Sequence, residues 1–151
     1  MSKKAEPTYK SIENLIGKSR VVGGDESGVK IYGKKAWFWV FQNTLLTYIK
    51  VTNSRAYVSI TETFSNGFPS TVYVSDSLAA QLKVVTKSKQ LCLAHLLREL
   101  SNFEGVFNCT WASEMKQLFK SAILHKKGMC ATDYFQISEK VKEFENNLSG
   151  L

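Results

Sequence analysis

Two aspartates stand where carboxylates would have to sit to hold a hard metal ion. Asp25 lies in Val21-Val22-Gly23-Gly24-Asp25-Glu26-Ser27-Gly28, and Asp76 ends Thr71-Val72-Tyr73-Val74-Ser75-Asp76. Asp25 falls inside an apolar, strand-like stretch, where an ionised carboxylate is costly unless it is paired, hydrated or metal-bound. Asp76 closes a short apolar run, and α/β sheets gather ligand chemistry at the carboxyl ends of their strands. If the two strands are neighbours, both carboxylates reach one spot. Mg2+ needs such a setting, taking oxygen from one or two carboxylates and from phosphates. Each residue also has a plainer reading. Asp76 before Ser77-Leu78-Ala79-Ala80 suits a helix N-cap, and Asp25-Glu26 before Ser27-Gly28 suits a bulge with both acids in water.

Other chemistries find less support. Cys92, His95 and Glu99 fall along one strip of a helix, but a zinc site needs further ligands and no second C-x-x-C or H-x-x-H pair exists. Asp25 and His95 with a serine would make a hydrolase triad, yet no G-x-S-x-G elbow is present. Gly23-Gly24 and Gly28 match no nucleotide-binding fingerprint. His125, beside Lys126-Lys127, reads as a surface residue.

The elements that must position these residues emerge from hydrophobic period. Residues 1–20 are polar, with Ile12, Leu15 and Ile16 enough for one or two helical turns. Val21 to Tyr32 reads as a long strand, and Gly33-Lys34 as a two-residue hairpin turn. Ala36 to Phe41 is apolar on both faces, as a central strand covered on two sides would be. Leu45 to Val51 gives a third antiparallel strand. A helix is expected over about Ser54 to Phe64, stopped by Asn66-Gly67-Phe68-Pro69. Thr71 to Ser75 is a fourth strand, Leu78 to Leu82 a helical segment, and Lys89 to Cys92 a fifth short strand. Leu93, Leu96, Leu97 and Leu100 then step at helical spacing. Two more stripes come after them: Trp111, Met115, Leu118, Phe119 and Ala122, then Tyr134, Ile137, Val141, Phe144 and Leu148. The order predicts an α/β sandwich with trailing helices as an added module.

Bulk properties agree with a folded, basic protein. The chain has 151 residues, and 44% of them are hydrophobic, enough to fill a core. Its longest apolar run, Ala36 to Phe41, is far too short for a bilayer. Met1-Ser2-Lys3-Lys4 is basic, but no apolar signal-peptide core adjoins it, so no secretory signal is expected. Cys92, Cys109 and Cys130 form an odd, widely spaced set suited to a reducing cytosol, where they would serve as small core residues. Net charge of +7 favours a nucleic-acid partner through phosphate contacts, although solvated loop lysines would account for it too.

Together these blocks resemble the insertion sequence 66 family of bacterial transposases, in its catalytic region. Val21 to Gly28 is similar to the family's first-aspartate block, which usually ends D-E-T-G. Tyr32-Gly33-Lys34-Lys35-Ala36-Trp37 is close to the family's next stretch, Asn-Gly-Lys and an aromatic strand. Val40-Phe41-Gln42-Asn43, Ser54-Arg55-Ala56-Tyr57, Asn66-Gly67-Phe68-Pro69 and Val74-Ser75-Asp76 continue the match. Gln90 to Leu100 resembles the C-x-A-H-L-x-R block, the family's most distinctive stretch. The likeness covers about Lys18 to Phe103.

The resemblance implies a ribonuclease-H-like α/β fold: a mixed sheet of three antiparallel strands and then β-α-β, flanked by helices. It implies a D-D-E site binding two Mg2+ or Mn2+ ions for DNA strand cleavage and strand transfer. Asp25 and Asp76 carry over as catalytic metal ligands. Cys92, His95 and Arg98 carry over as residues that shape the site or position DNA. Implied partners are DNA (transposon ends and target), the remainder of a transposase and further copies of the chain, in a bacterial cytoplasm and away from membranes. Three departures qualify it. Ser27 replaces the usual threonine, and Ser77-Leu78-Ala79-Ala80-Gln81 lacks the tyrosine often found after the second aspartate. The family's third carboxylate, in a D-N-x-x-E-R context beyond a helical insertion, has no counterpart here. Glu99, Glu104 and Glu114 are the tempting substitutes, and Glu114 reads as a solvent-facing helix residue. The expected organisation is a leading segment over 1–20, an incomplete core over 21–108 and the beginning of a helical insertion over 109–151, incompetent alone for strand transfer. Two alternatives stay open: a small metal-dependent nuclease using Glu99 or Glu114, and a non-catalytic basic DNA-binding module derived from a transposase.

Overall fold

A computed structural model of the protein describes residues 3–130, 132–133 and 137–150. Contacts divide the chain into two compact units, 1–92 and 93–151. In the first unit, α1 (Glu6–Gly17) precedes β1 (Val21–Ile31), β2 (Lys34–Gln42) and β3 (Thr47–Thr52). Next come α2 (Val58–Thr61), β4 (Phe68–Ser75), α3 (Ala79–Leu82) and β5 (Thr86–Leu91). The second unit holds α4 (Leu93–Phe107), α5 (Thr110–Gly128) and α6 (Ser138–Ser149).

The five strands form one sheet in the order β3-β2-β1-β4-β5. β1, β2 and β3 pair antiparallel, whereas β4 runs parallel to both β1 and β5. Alternation sends Val22, Gly24 and Glu26 of β1 to one face, level with Trp39 and Phe41 of β2 and Tyr73 of β4. That face carries the core. Trp39, Phe41, Tyr48, Phe68 and Tyr73 are buried there with Ile16, Ile60 and Val84. The rings interlock, Phe41 meeting Phe64 edge-on at 4.9 Å between centroids and Phe64 meeting Phe68 at 4.6 Å. On the opposite face, Phe38 and Val40 are only half-buried.

The helices seal this core. α1 is a full 12-residue helix, longer than the one or two turns its apolar residues suggest. Pro7 sits in its first turn, where its missing N–H costs nothing, and Ile16 is wholly buried. Tyr9 donates to the Ile49 carbonyl at 2.7 Å, and the Tyr48 hydroxyl donates to Glu13 at 2.7 Å, tying α1 to β3. α2 is the reverse case. The helix expected over Ser54–Phe64 shrinks to one turn, because Ser54 is held as a loop residue whose carbonyl accepts from Trp39 Nε1, Thr52 and Ser59.

The β1–β2 hairpin turns at Tyr32-Gly33 and not at Gly33-Lys34, since Ile31 pairs with Lys34. Both turn residues have positive φ, 48° and 75°, the geometry that matches the twist of paired strands. In the second unit, Phe103, Phe107 and Trp111 cluster where α4 meets α5. The stripes of α5 and α6 face one another through Leu118, Phe119, Ala122, Val141, Phe144 and Leu148. Tyr134, expected in the last stripe, lies outside the described residues. Cys130 is exposed and not a core residue, while Cys92 and Cys109 are half-buried.

Candidate functional site

The parallel pairing of β1 with β4 brings the two aspartates to one end of the sheet. Its last pair is Gly23 with Val74, and Asp25 and Asp76 each come two residues further on. Asp25 remains within the β1–β2 ladder opposite Val40, with no bulge, on the face away from the aromatic core. Its side chain is exposed, and Oδ1 accepts the Glu26 N–H at 2.9 Å. Asp76 comes directly after the end of β4 and is half-buried. Its Oδ1 accepts the Leu78 N–H at 3.0 Å and Gln81 Nε2 at 3.2 Å. It is not the N-cap of α3, a position Leu78 occupies; the bond to Leu78 is a local turn instead.

Behind the aspartates lies a network that sequence reasoning misses. Gln81 of α3 is completely buried. Its Nε2 donates to Glu26 Oε2 at 2.6 Å as well as to Asp76, and its Oε1 accepts the Tyr73 hydroxyl at 3.1 Å. The Glu26 side chain is 2% exposed and meets Arg55, whose Nε and Nη2 approach Oε1 at 2.9 and 2.5 Å. Arg55 also lies over the Trp37 ring, 5.1 Å from its centroid. Strand alternation places Glu26 level with Val22 and Gly24 on the core face, so a period-two count is the signal that could have flagged it as a buried acid. Gln81 leaves a weaker signal, one polar residue inside Leu78-Ala79-Ala80-Gln81-Leu82.

Tyr73 registers the local field. Its phenol is pushed well above its ordinary pKa, first by burial and then by the negative charges of Glu26, Asp76 and Asp25, in that order. All three carboxylates therefore act on one buried hydroxyl.

The remaining predicted residues divide between the units. Cys92 comes directly after β5 beside this end of the sheet, its N–H donating to the Ser75 carbonyl at 2.6 Å. His95 is half-buried and Arg98 exposed on α4, in the second unit. Glu99 and Glu114 are exposed on α4 and α5, and Glu104 is paired with Lys116.

Among the described residues, no three His, Cys, Asp or Glu side chains form a ready-made metal cage. Neither Asp25 nor Asp76 is paired with a lysine or arginine among those residues. Two hard carboxylates at one sheet end fit Mg2+, which keeps several waters and binds through one or two carboxylates plus substrate phosphates.

The β3-β2-β1-β4-β5 sheet, antiparallel on one side and parallel on the other and flanked by helices, is the mixed α/β sheet expected of a ribonuclease-H-like fold. The chain belongs to the transposase IS66 family, whose model matches residues 1–145. Among solved structures, the catalytic core domain of the HTLV-2 integrase, in complex with magnesium in its trimeric form, is similar over 61% of this chain and 74% of that one. The identity is 12% and the TM-score 0.41. No curated protein gives a match.

Proposed function

We propose that this chain is the metal-binding part of a transposase catalytic region, in which Asp25 and Asp76 hold Mg2+ or Mn2+ against a DNA phosphate. The observation that carries the reading is the β1–β4 register, with both aspartates two residues past its last pair. When bound, the metal would stabilise the attacking and leaving oxygens of an in-line phosphoryl transfer. The chain's own residues do the positioning. Asp25 is anchored through the Glu26 N–H, and Asp76 through Leu78 and Gln81. A net charge of +7 draws the DNA backbone in through phosphate contacts. On this reading Cys92 flanks the site, and His95 and Arg98 of the second unit position DNA, none of them entering the chemistry. Strand transfer needs a third carboxylate that this reading does not assign, so the chain alone binds metal and DNA without joining strands.

The test is the affinity of a fluorescent DNA duplex with and without Mg2+. The reading expects salt-sensitive binding that Mg2+ strengthens, with the Mg2+ increment lost in Asp25→Asn and in Asp76→Asn. Salt-sensitive binding that neither metal nor substitution alters would instead favour a non-catalytic basic DNA-binding module.

A further inference from the structure

Among the described residues, the Asp76 carboxylate takes its hydrogen bonds on one oxygen. Leu78 N–H and Gln81 Nε2 both reach Oδ1, fixing the carboxylate from one side. The first bond is local to the turn; the second comes from a side chain that is itself held at every polar atom. A primary amide has two N–H hydrogens, and those of Gln81 go to Glu26 and Asp76. Its oxygen takes the Tyr73 hydroxyl, so the hydroxyl donor and the two acceptors together dictate which way the amide faces. Glu26 is fixed in turn by Arg55.

We propose that Gln81, anchored by Glu26, is the positioning residue of Asp76, holding its carboxylate ready for the divalent cation. The inference rests on the metal-site reading above and deepens it. Glutamate at position 81 would set a third negative charge between two others, and an apolar residue would leave Asp76 held only by its own turn. The amide supplies donors to both carboxylates and adds no charge. Partners of this kind behind a metal ligand set its orientation, and their removal typically weakens metal binding about 10- to 100-fold.

The experiment tracks Mn2+ broadening of amide signals in the 15N-labelled chain, which also detects weak binding. In the unaltered protein, Mn2+ is expected to broaden Asp25, Asp76 and the Gln81 side-chain amide. Asp76→Asn should abolish this. Gln81→Met, close in volume but without the donor, should raise the Mn2+ dissociation constant about 10- to 100-fold while the spectrum stays dispersed. Thr71→Val is the control: it deletes another buried hydrogen bond of β4, from Thr71 Oγ1 to the Ser19 carbonyl, and should leave Mn2+ affinity unchanged. If Gln81→Met binds Mn2+ like the unaltered chain while Asp76→Asn does not, the role of Gln81 is overturned and the metal site stands. Equal weakening by Thr71→Val overturns it too, since loss of stability then explains the effect. If the unaltered chain shows no broadening at either aspartate, or Asp76→Asn binds as well as it does, the metal site itself is wrong and the inference falls with it.

Discussion

Gly24 and Tyr73 pack so closely that a Cβ on Gly24 would lie 1.8 Å from the Tyr73 hydroxyl oxygen. Bare backbone at position 24 is what lets the phenol reach across β1 to Gln81, behind both aspartates. Gly24→Ala therefore forces Tyr73 out of place and should cost about 1–3 kcal/mol, as overpacking does. Urea denaturation measures this. Adding Tyr73→Phe should recover only part of the loss, because the ring carbon Cζ would still lie 2.4 Å from the new methyl.

Stability should also fall in alkaline solution. The folded-state pKa of Tyr73 is raised by burial and by Glu26, Asp76 and Asp25, whereas in the unfolded chain a tyrosine ionises near about 10. A raised folded pKa gives stability that is complete below the unfolded value and is lost as pH climbs above it. Urea midpoints from about pH 8 to 11 should decline, and Tyr73→Phe should flatten part of that decline. An unchanged slope would mean that Tyr73 ionises equally well in the folded state.

Arg55 and Glu26 form a lopsided ion pair, the arginine side chain 46% exposed and the glutamate 2%. Breaking a fully buried pair from one side costs about 3–5 kcal/mol. Solvent around Arg55 reduces this, and Gln81 still bonds Glu26, so Arg55→Met should cost about 2 kcal/mol. Thermal unfolding of the variant checks it.

The hairpin tip offers a test independent of the site. Tyr32 is fully exposed at φ 48°, and Gly33 sits at φ 75°. Tyr32→Asn should stabilise by up to about 1 kcal/mol, since asparagine tolerates this region better. Gly33→Ala should destabilise by about 1–2 kcal/mol. Melting temperatures moving in opposite directions would verify the turn.

The legible and illegible parts of the fold divide along physical lines. The apolar runs of β1, β2 and β4 mark their strands, and Asp25 and Asp76 are visible as acids attached to them. β5 runs longer than its pattern suggests, because Thr86-Lys87-Ser88-Lys89-Gln90-Leu91 lacks an apolar alternation. It is an edge strand, where exposed lysines guard against further pairing. α2 is shorter than its pattern suggests. The spacing of Tyr57, Ile60 and Phe64 fits a helix, yet three hydrogen bonds to the Ser54 carbonyl hold the preceding loop. The Glu26–Gln81–Asp76 network is invisible in sequence for another reason. Gln81 stands 55 residues from Glu26 and 5 from Asp76, and the three meet only once β1 lies beside β4.

That Asp25 and Asp76 share one divalent-cation site is tested most directly by calorimetric titration of Mg2+ or Mn2+. The unaltered chain, Asp25→Asn and Asp76→Asn would be compared under the same buffer and salt. The shared site predicts binding in the unaltered chain that either substitution abolishes. Equal binding by all three proteins would contradict it, because the ion would then be held somewhere other than between these carboxylates.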